Sequence, residues 1–170
     1  MSQINDCGYC CDTCDSEKKC GKLTGTLLEC GCPGFISFAN ATAVGTTQTI
    51  AALQVNTSEF EHPCIQLAFT ANIFTGVTGG YSFQIFKLCS NQLTPVPVSG
   101  VYEYARAVAT TEGDTFNFTV CDCDMDSCTD CLCTYYVVVT VTVLVVLDSY
   151  IGNIALSAIV SENSCTGCQK

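Results

Sequence analysis

The chain is poor in positive charge, with six lysine and arginine residues against sixteen aspartate and glutamate residues among 170. Proteins that bind nucleic acid neutralise its phosphates with a clustered basic patch, and this sequence offers no such patch. We therefore expect no nucleic-acid partner. The acidic excess itself is typical of a well-solvated surface and indicates no particular function.

Residues that commonly carry out catalysis are also scarce. The only histidine, His62, is followed by proline in a predicted loop, where a histidine is most often a surface residue. The sequence contains no Gly-x-Ser-x-Gly elbow, P-loop or dinucleotide-binding glycine motif. Asp124, Asp126 and Asp130 lack the spacing, glycine and closing glutamate of a calcium loop. We expect neither enzymatic activity nor a cofactor.

Long apolar runs are missing as well. The longest, YYVVVTVTVLVVL at 135–147, has thirteen residues, fewer than the roughly 20 that a membrane helix requires. Its β-branched residues favour a strand instead, either central in its sheet or covered by a partner. The first twenty residues show no basic segment followed by an apolar one, so we expect neither a secretory signal nor a membrane partner.

Cysteine, in contrast, is abundant, with sixteen residues or about 9% of the chain. A domain of this length does not need so many thiols merely to fold. The cysteine content favours an oxidising environment, although the usual export signal is not evident.

Most of the chain alternates apolar and polar residues with a period of two, which predicts strands with one solvated face. About eight strands at this spacing predict an all-β fold, a single β-sandwich of the jelly-roll type. We divide the chain into a flexible N-terminal arm (1–20), the sandwich (21–162) and a short C-terminal tail (163–170). The predicted strands cover residues 23–30, 48–56, 64–73, 81–88, 101–108, 114–120, 134–147 and 151–160.

Three interpretations of the cysteines compete. Two Cys-x-x-Cys pairs have the spacing of zinc half-sites. A thioredoxin-like redox pair would need an adjoining helix, which the pattern does not show. In the third interpretation the cysteines form covalent links, and Cys-x-Cys pairs suit bonding to two different partners because i and i+2 thiols of a strand share a face. The zinc candidates are Cys128, Cys131, Cys165 and Cys168.

Covalent linkage through a flexible arm suggests strand addition between subunits. The arm of one subunit would lie along an exposed sheet edge of the next and would then be locked there by disulfides. A contact of this head-to-tail kind does not close on itself and therefore generates a fibre.

The stretches FQIFKLCSNQ (83–92), TFNFTVCDCD (115–124) and NIALSAIV (153–160) resemble a cysteine-rich domain family of anaerobic spore-forming bacteria, the clostridia. The overall plan is also similar to the endospore appendage subunits of bacilli. That similarity implies a jelly roll, a connector bearing paired cysteines, and disulfides between subunits. The connector positions would be Cys10 and Cys11, with receiving thiols among Cys30, Cys32, Cys121 and Cys123.

The resemblance also implies synthesis in the mother-cell cytoplasm without a signal peptide, followed by oxidation at the surface of the spore. We therefore predict a structural subunit of a homopolymeric, disulfide-linked, pilus-like extracellular fibre, with a spore-surface anchor protein as a further partner. The alternatives are a zinc-binding spore-coat protein and a ligand-binding sandwich. The candidates for inter-subunit disulfides are Cys7, Cys10, Cys11, Cys14, Cys20, Cys30, Cys32, Cys121 and Cys123.

Overall fold

The structure, a computed structural model, describes residues 25–75, 79–90, 92–106, 113–123 and 131–162. Within these ranges no helix is long and apolar enough to cross a membrane. The regular structure there consists of ten strands: β1 (Leu27–Cys30), β2 (Gly34–Phe38), β3 (Thr47–Asn56), β4 (Pro63–Phe74), β5 (Gly79–Cys89), β6 (Val96–Pro97), β7 (Tyr102–Arg106), β8 (Gly113–Asp122), β9 (Leu132–Val143) and β10 (Ser149–Glu162).

The strands form two antiparallel five-stranded sheets, as expected for a sandwich-like all-β fold. Sheet A has the order β1-β10-β4-β8, and β2 pairs with the first part of β10. Sheet B has the order β3-β9-β5-β6, and β7 pairs with the remaining part of β5. The predicted all-β class is therefore confirmed, with ten strands in place of the eight expected.

The apolar core lies between the sheets and follows the period-two pattern of the sequence. On β4 the side chains of Ile65, Leu67 and Phe69 are buried, whereas Gln66 and Thr70 are exposed. The same alternation along β5 and β9 contributes the other half of the core. Burial of one face of each sheet also fixes the register, because a shift of one residue would turn every apolar side chain outward.

The two additional strands are short. β2 has the alternating sequence GFISF and begins directly after a proline. β6 has two residues and ends in a proline, which cannot donate a ladder hydrogen bond and is therefore found at sheet edges.

The apolar run at 135–147 is central, as one of its predicted alternatives requires, since β9 pairs with both β3 and β5. The predicted strand is too long, because β9 ends at Val143. Beyond it the backbone pairs with the segment before β3: the amide of Ala41 donates to the carbonyl of Val145 at 2.9 Å. Leu144, Val146 and Leu147 leave the core and are about half exposed.

Aromatic side chains join β7 to β8 and so connect the two sheets along one side. The rings of Tyr102 and Phe118 stack with their centroids 4.1 Å apart. The hydroxyl of Tyr104 donates to Asp114 Oδ2 at 2.6 Å, and Arg106 lies 3.6 Å from the same oxygen. These contacts hold β8 of sheet A against β7 of sheet B.

Candidate cross-linking site

One end of the sandwich, which we call the cysteine end, is where the three cysteine-rich segments of the sequence join the described residues. A lateral row of paired residues crosses sheet A there, from Leu27 through Val160 and Ile65 to Asp122. The chain reaches this row directly after segment 1–24. In the sequence, segment 124–130 directly follows Cys123, the residue after β8, and segment 163–170 directly follows the last residue of β10.

Two disulfides between described residues stabilise the cysteine end from within the chain. Cys89 and Cys133 are directly paired between β5 and β9 in sheet B, with their Cα atoms 4.0 Å apart. Cys64 and Cys123 are bonded at the end of the β4–β8 pair in sheet A, with a Cα separation of 4.1 Å. Each bond therefore joins neighbouring strands of one sheet, and neither joins the two sheets.

The bond to Cys64 corrects one sequence-based expectation. Cys123 is one of the thiols predicted to bond to the arm of a neighbouring subunit, but its sulfur is bonded to Cys64 of the same chain. Cys32 is disulfide-bonded as well. The register explains the pairing of Cys123, because the residue after Asp122 lies opposite the residue before Ile65. Such a pairing depends on a strand neighbour 59 residues away and is not visible in the spacing of cysteines.

Two other predicted receiving thiols, Cys30 and Cys121, are free and exposed. Both lie on the solvent-facing side of sheet A, its outer face. Cys30 is the last residue of β1, and Cys121 is the penultimate residue of β8. Because β1 and β8 are the first and last strands of the sheet order, each edge of sheet A presents one free thiol.

The register shows that these two thiols cannot bond to each other. The row that starts at Cys30 passes through Ser157 and Ala68 and ends at Thr119, two residues before Cys121. Three interstrand spacings of about 4.8 Å put the two cysteines at least about 14 Å apart. A disulfide needs Cα atoms within about 7 Å, so each thiol requires a different partner.

Cys131 is free and half-buried at the cysteine end, where its carbonyl accepts a hydrogen bond from the amide of Thr57 at 2.7 Å. Among the described residues no group of three or more metal-binding side chains comes together. The remaining candidates of both kinds lie outside the described residues, namely Cys7, Cys10, Cys11, Cys14, Cys20, Cys128, Cys165 and Cys168.

A buried polar cluster at the cysteine end was not anticipated. Lys87 Nζ lies 2.8 Å from Asp122 Oδ2, and both side chains are about 5% exposed. The hydroxyl of Tyr135 donates to the same oxygen at 2.7 Å. The sequence did contain a signal for this cluster, since Lys87 occupies an inward position in β5 between the buried residues Ile85 and Cys89.

The electrostatics of this cluster are those of a site with little water. Burial raises the pKa of Tyr135 far above the usual value for a phenol, and the charge of Asp122 raises it further. Tyr135 therefore remains a hydrogen-bond donor at every physiological pH. Charged groups are costly to bury unless they are paired, which accounts for the close contact of Lys87 with Asp122.

A cleft of about 310 Å³ opens beside the buried pair, between β6 of sheet B and β8 of sheet A. Val96, Pro97 and Val98 form one wall, and Cys121 and Cys123 line the other with Lys87 and Asp122. Cys121, whose thiol is free and exposed, is thus one of the residues that line this cleft at the sheet edge.

These features define a cysteine-rich β-sandwich with one free, exposed thiol on each edge of a sheet. The chain belongs to the family described as domain of unknown function (DUF4489), whose model matches residues 24–161. No curated protein sequence matches the chain.

The fold is similar to that of larger viral chains. In the structures of infectious bursal disease virus strains Gt and Gx, the similar chains are 9% and 7% identical to this one, with TM-scores of 0.53 and 0.54. The similarity covers 84% of this chain in both cases, but 34% and 33% of the viral chains. This chain therefore spans about a third of those proteins, and the likeness concerns the fold alone.

A structure of Eiger TNF from S. frugiperda is 5% identical, with a TM-score of 0.47, over 85% of this chain and 98% of that one.

Proposed function

We propose that this protein is a structural subunit of a self-assembling, disulfide-cross-linked extracellular fibre on endospores. The arm at residues 1–20 docks on a neighbouring subunit and bonds covalently to it. The observation that supports this proposal is the pair of free, exposed thiols of Cys30 and Cys121, one on each edge of sheet A and too far apart to bond to each other.

The edges themselves suit the docking of an arm. A strand at the edge of a sheet carries unpaired amide and carbonyl groups that can hydrogen-bond an added strand. On β8 such an added strand would run beside Cys121, and on β1 beside Cys30. A disulfide formed after docking gives the contact kinetic persistence, so that the assembly survives conditions that would dissociate a reversible contact.

The end of the sandwich opposite the cysteine end offers a surface for head-to-tail packing. Val44, Val143, Leu144, Val146 and Leu147 are each 40–59% exposed there. Hydrogen bonds between the 41–46 and 141–145 segments hold these residues near one another. Grouped exposed apolar side chains commonly mark a protein contact, and a contact between opposite ends propagates without closing.

In this proposal the sandwich is a jelly roll, and the subunits are made in the mother cell and oxidise at the spore surface. A spore-surface anchor protein would hold the base of the fibre. The proposal draws on the plan of endospore appendage subunits, which the overall plan of this sequence resembles.

The assembly can be tested with the oxidised full-length protein and matched variants, with electron microscopy to detect fibres. We expect Cys30→Ser with Cys121→Ser to abolish covalent multimers, and removal of residues 1–20 to leave a folded monomer. Thr119→Ser, an exposed change on the same face, serves as the control and should assemble normally. Reductant-sensitive fibres from the double cysteine variant, or fibres from the truncated chain, would contradict the proposal.

A zinc-binding spore-coat protein is the second candidate, and the free, half-buried thiol of Cys131 at the cysteine end favours it. Cys131 ends a Cys-x-x-Cys pair, and a second such pair follows β10 in the sequence. Four thiolates would complete a tetrahedral site. Stoichiometric zinc in protein purified without added metal, lost in Cys131→Ser, would support this candidate. Zinc below one equivalent per ten chains would eliminate it.

A further inference from the structure

The buried Lys87–Asp122 pair brings an amine and a carboxyl group into direct contact across the two sheets. The amine nitrogen of Lys87 is 2.8 Å from a carboxyl oxygen of Asp122, in a site where both side chains are about 5% exposed. We propose that Lys87 and Asp122 condense spontaneously to an intramolecular amide, so that an isopeptide bond joins β5 of sheet B to β8 of sheet A.

The reaction balances without any external reagent. A proton passes from the Lys87 ammonium to the Asp122 carboxylate, which gives a neutral amine and a neutral carboxylic acid. The nitrogen lone pair then forms a bond to Cγ of Asp122, and the resulting tetrahedral intermediate breaks one C–O bond. The leaving oxygen takes up one proton from the nitrogen and departs as water. The products are one amide and one water molecule.

Tyr135 is placed to assist this reaction as a catalytic residue. Its hydroxyl donates at 2.7 Å to Oδ2, the same oxygen that Lys87 contacts. It can therefore protonate that oxygen as it leaves and take the proton that the nitrogen loses, so that the phenol ends the reaction unchanged. The high pKa of Tyr135 keeps this proton in place beforehand.

The environment favours the amide over the ion pair in two ways. A buried ion pair must offset the loss of hydration of two charges, whereas the amide carries no charge. The fold also holds the two groups in contact, and well-oriented intramolecular reactions reach effective concentrations of about 10⁵–10⁸ M. The water that is released can leave through the cleft that adjoins Lys87 and Asp122.

The bond would add a connection that the described disulfides do not provide. Cys64–Cys123 and Cys89–Cys133 each join strands within one sheet, whereas the amide would join the two sheets. It would also resist reducing agents, so that a subunit released from a fibre by reduction would keep its sheets linked.

The test is the mass of the full-length protein after complete reduction, thiol alkylation and denaturation. We expect a mass below that of the alkylated sequence by one water molecule, and a protease digest in which the peptides containing Lys87 and Asp122 remain joined. Because the measurement is made on single reduced chains, it does not depend on whether the protein forms fibres.

Two variants identify the chemistry. Lys87→Met should have the full mass of its alkylated sequence, with no joined peptide. Tyr135→Phe should form the bond about 10²–10³-fold more slowly, followed as the loss of water over time after refolding. A wild-type protein with the full mass and two separate peptides would overturn the proposal, as would water loss that persists in Lys87→Met.

Discussion

The disulfide between Cys89 and Cys133 should be a major contributor to the stability of the monomer. It joins β5 to β9, the two inner strands of sheet B, at the cysteine end, and both cysteines are about 1% exposed. The perturbation is the double substitution of Cys89 and Cys133 by alanine, which removes two sulfur atoms from the core and leaves no buried polar group unpaired.

The size of the effect follows from the loop that the bond closes. The two cysteines are separated by 44 positions in sequence. For a loop of that size the chain-entropy model gives a stabilisation of about 4 kcal/mol at 25 °C, or about 3 kcal/mol where the proposed Lys87–Asp122 amide shortens the loop to roughly 15 residues. With a urea m-value of about 2 kcal/mol per molar, the unfolding midpoint should fall by about 2 M.

The assay is urea unfolding of monomeric protein, followed by far-ultraviolet circular dichroism, with and without reductant. Without reductant we expect the double variant to unfold at much lower urea than the wild type. With reductant the two curves should converge, because the wild type then lacks the same bond. Cys30→Ala, which removes a free exposed thiol, is the control and should change the free energy of unfolding by less than about 0.5 kcal/mol.

The reasoning would be refuted if the difference between wild type and double variant persisted unchanged under reductant. The loss would then reflect packing around the sulfur atoms and not the covalent constraint.

Two further predictions concern Tyr104 and the glycines. Burial, with a smaller contribution from Asp114, raises the pKa of Tyr104 from 10.0 to about 12, so the fold favours the neutral phenol. The stability due to this preference is complete below pH 10 and is lost as the pH rises towards 12. The urea midpoint should therefore fall less across this pH window in Tyr104→Phe than in the wild type. Equal falls in the two proteins would contradict the assignment. A methyl group on Gly80 would lie 2.6 Å from Val143 Cγ2, whereas one on Gly100 would meet nothing within 4 Å. Thermal unfolding should therefore show a loss of about 1–3 kcal/mol for Gly80→Ala and little change for Gly100→Ala, and similar melting of the two variants would contradict this account of packing.

The alternation of apolar and polar residues was sufficient to predict most strands of this fold. β4 and β10 extend the predicted strands by no more than two residues at either end, because the inward positions within the predicted ranges are apolar. The end of β9 could not be predicted in this way. The apolar run continues past Val143, but the pairing of β9 with β5 ends there. Composition alone does not show where a neighbouring strand ends.

The candidate site was only partly accessible from the sequence. The shared face of Cys121 and Cys123 followed from their i, i+2 spacing, and the structure places both on the exposed side of β8 with Asp122 buried between them. Which thiols bond within the chain depends on register between distant strands, so the use of Cys123 was hidden. The inward position of Lys87 was visible in the sequence, but its pairing with Asp122 was hidden for the same reason, since it requires one sheet to be placed on the other.

The central claim, that disulfides join subunits into a covalent polymer, is tested most directly by a denaturing gel of the oxidised protein, boiled with and without reductant. The account predicts material too large to enter the gel in the unreduced lane and a single monomer band after reduction. A monomer band in both lanes would show that the thiols, including Cys30 and Cys121, form no bonds between chains, and it would contradict the claim.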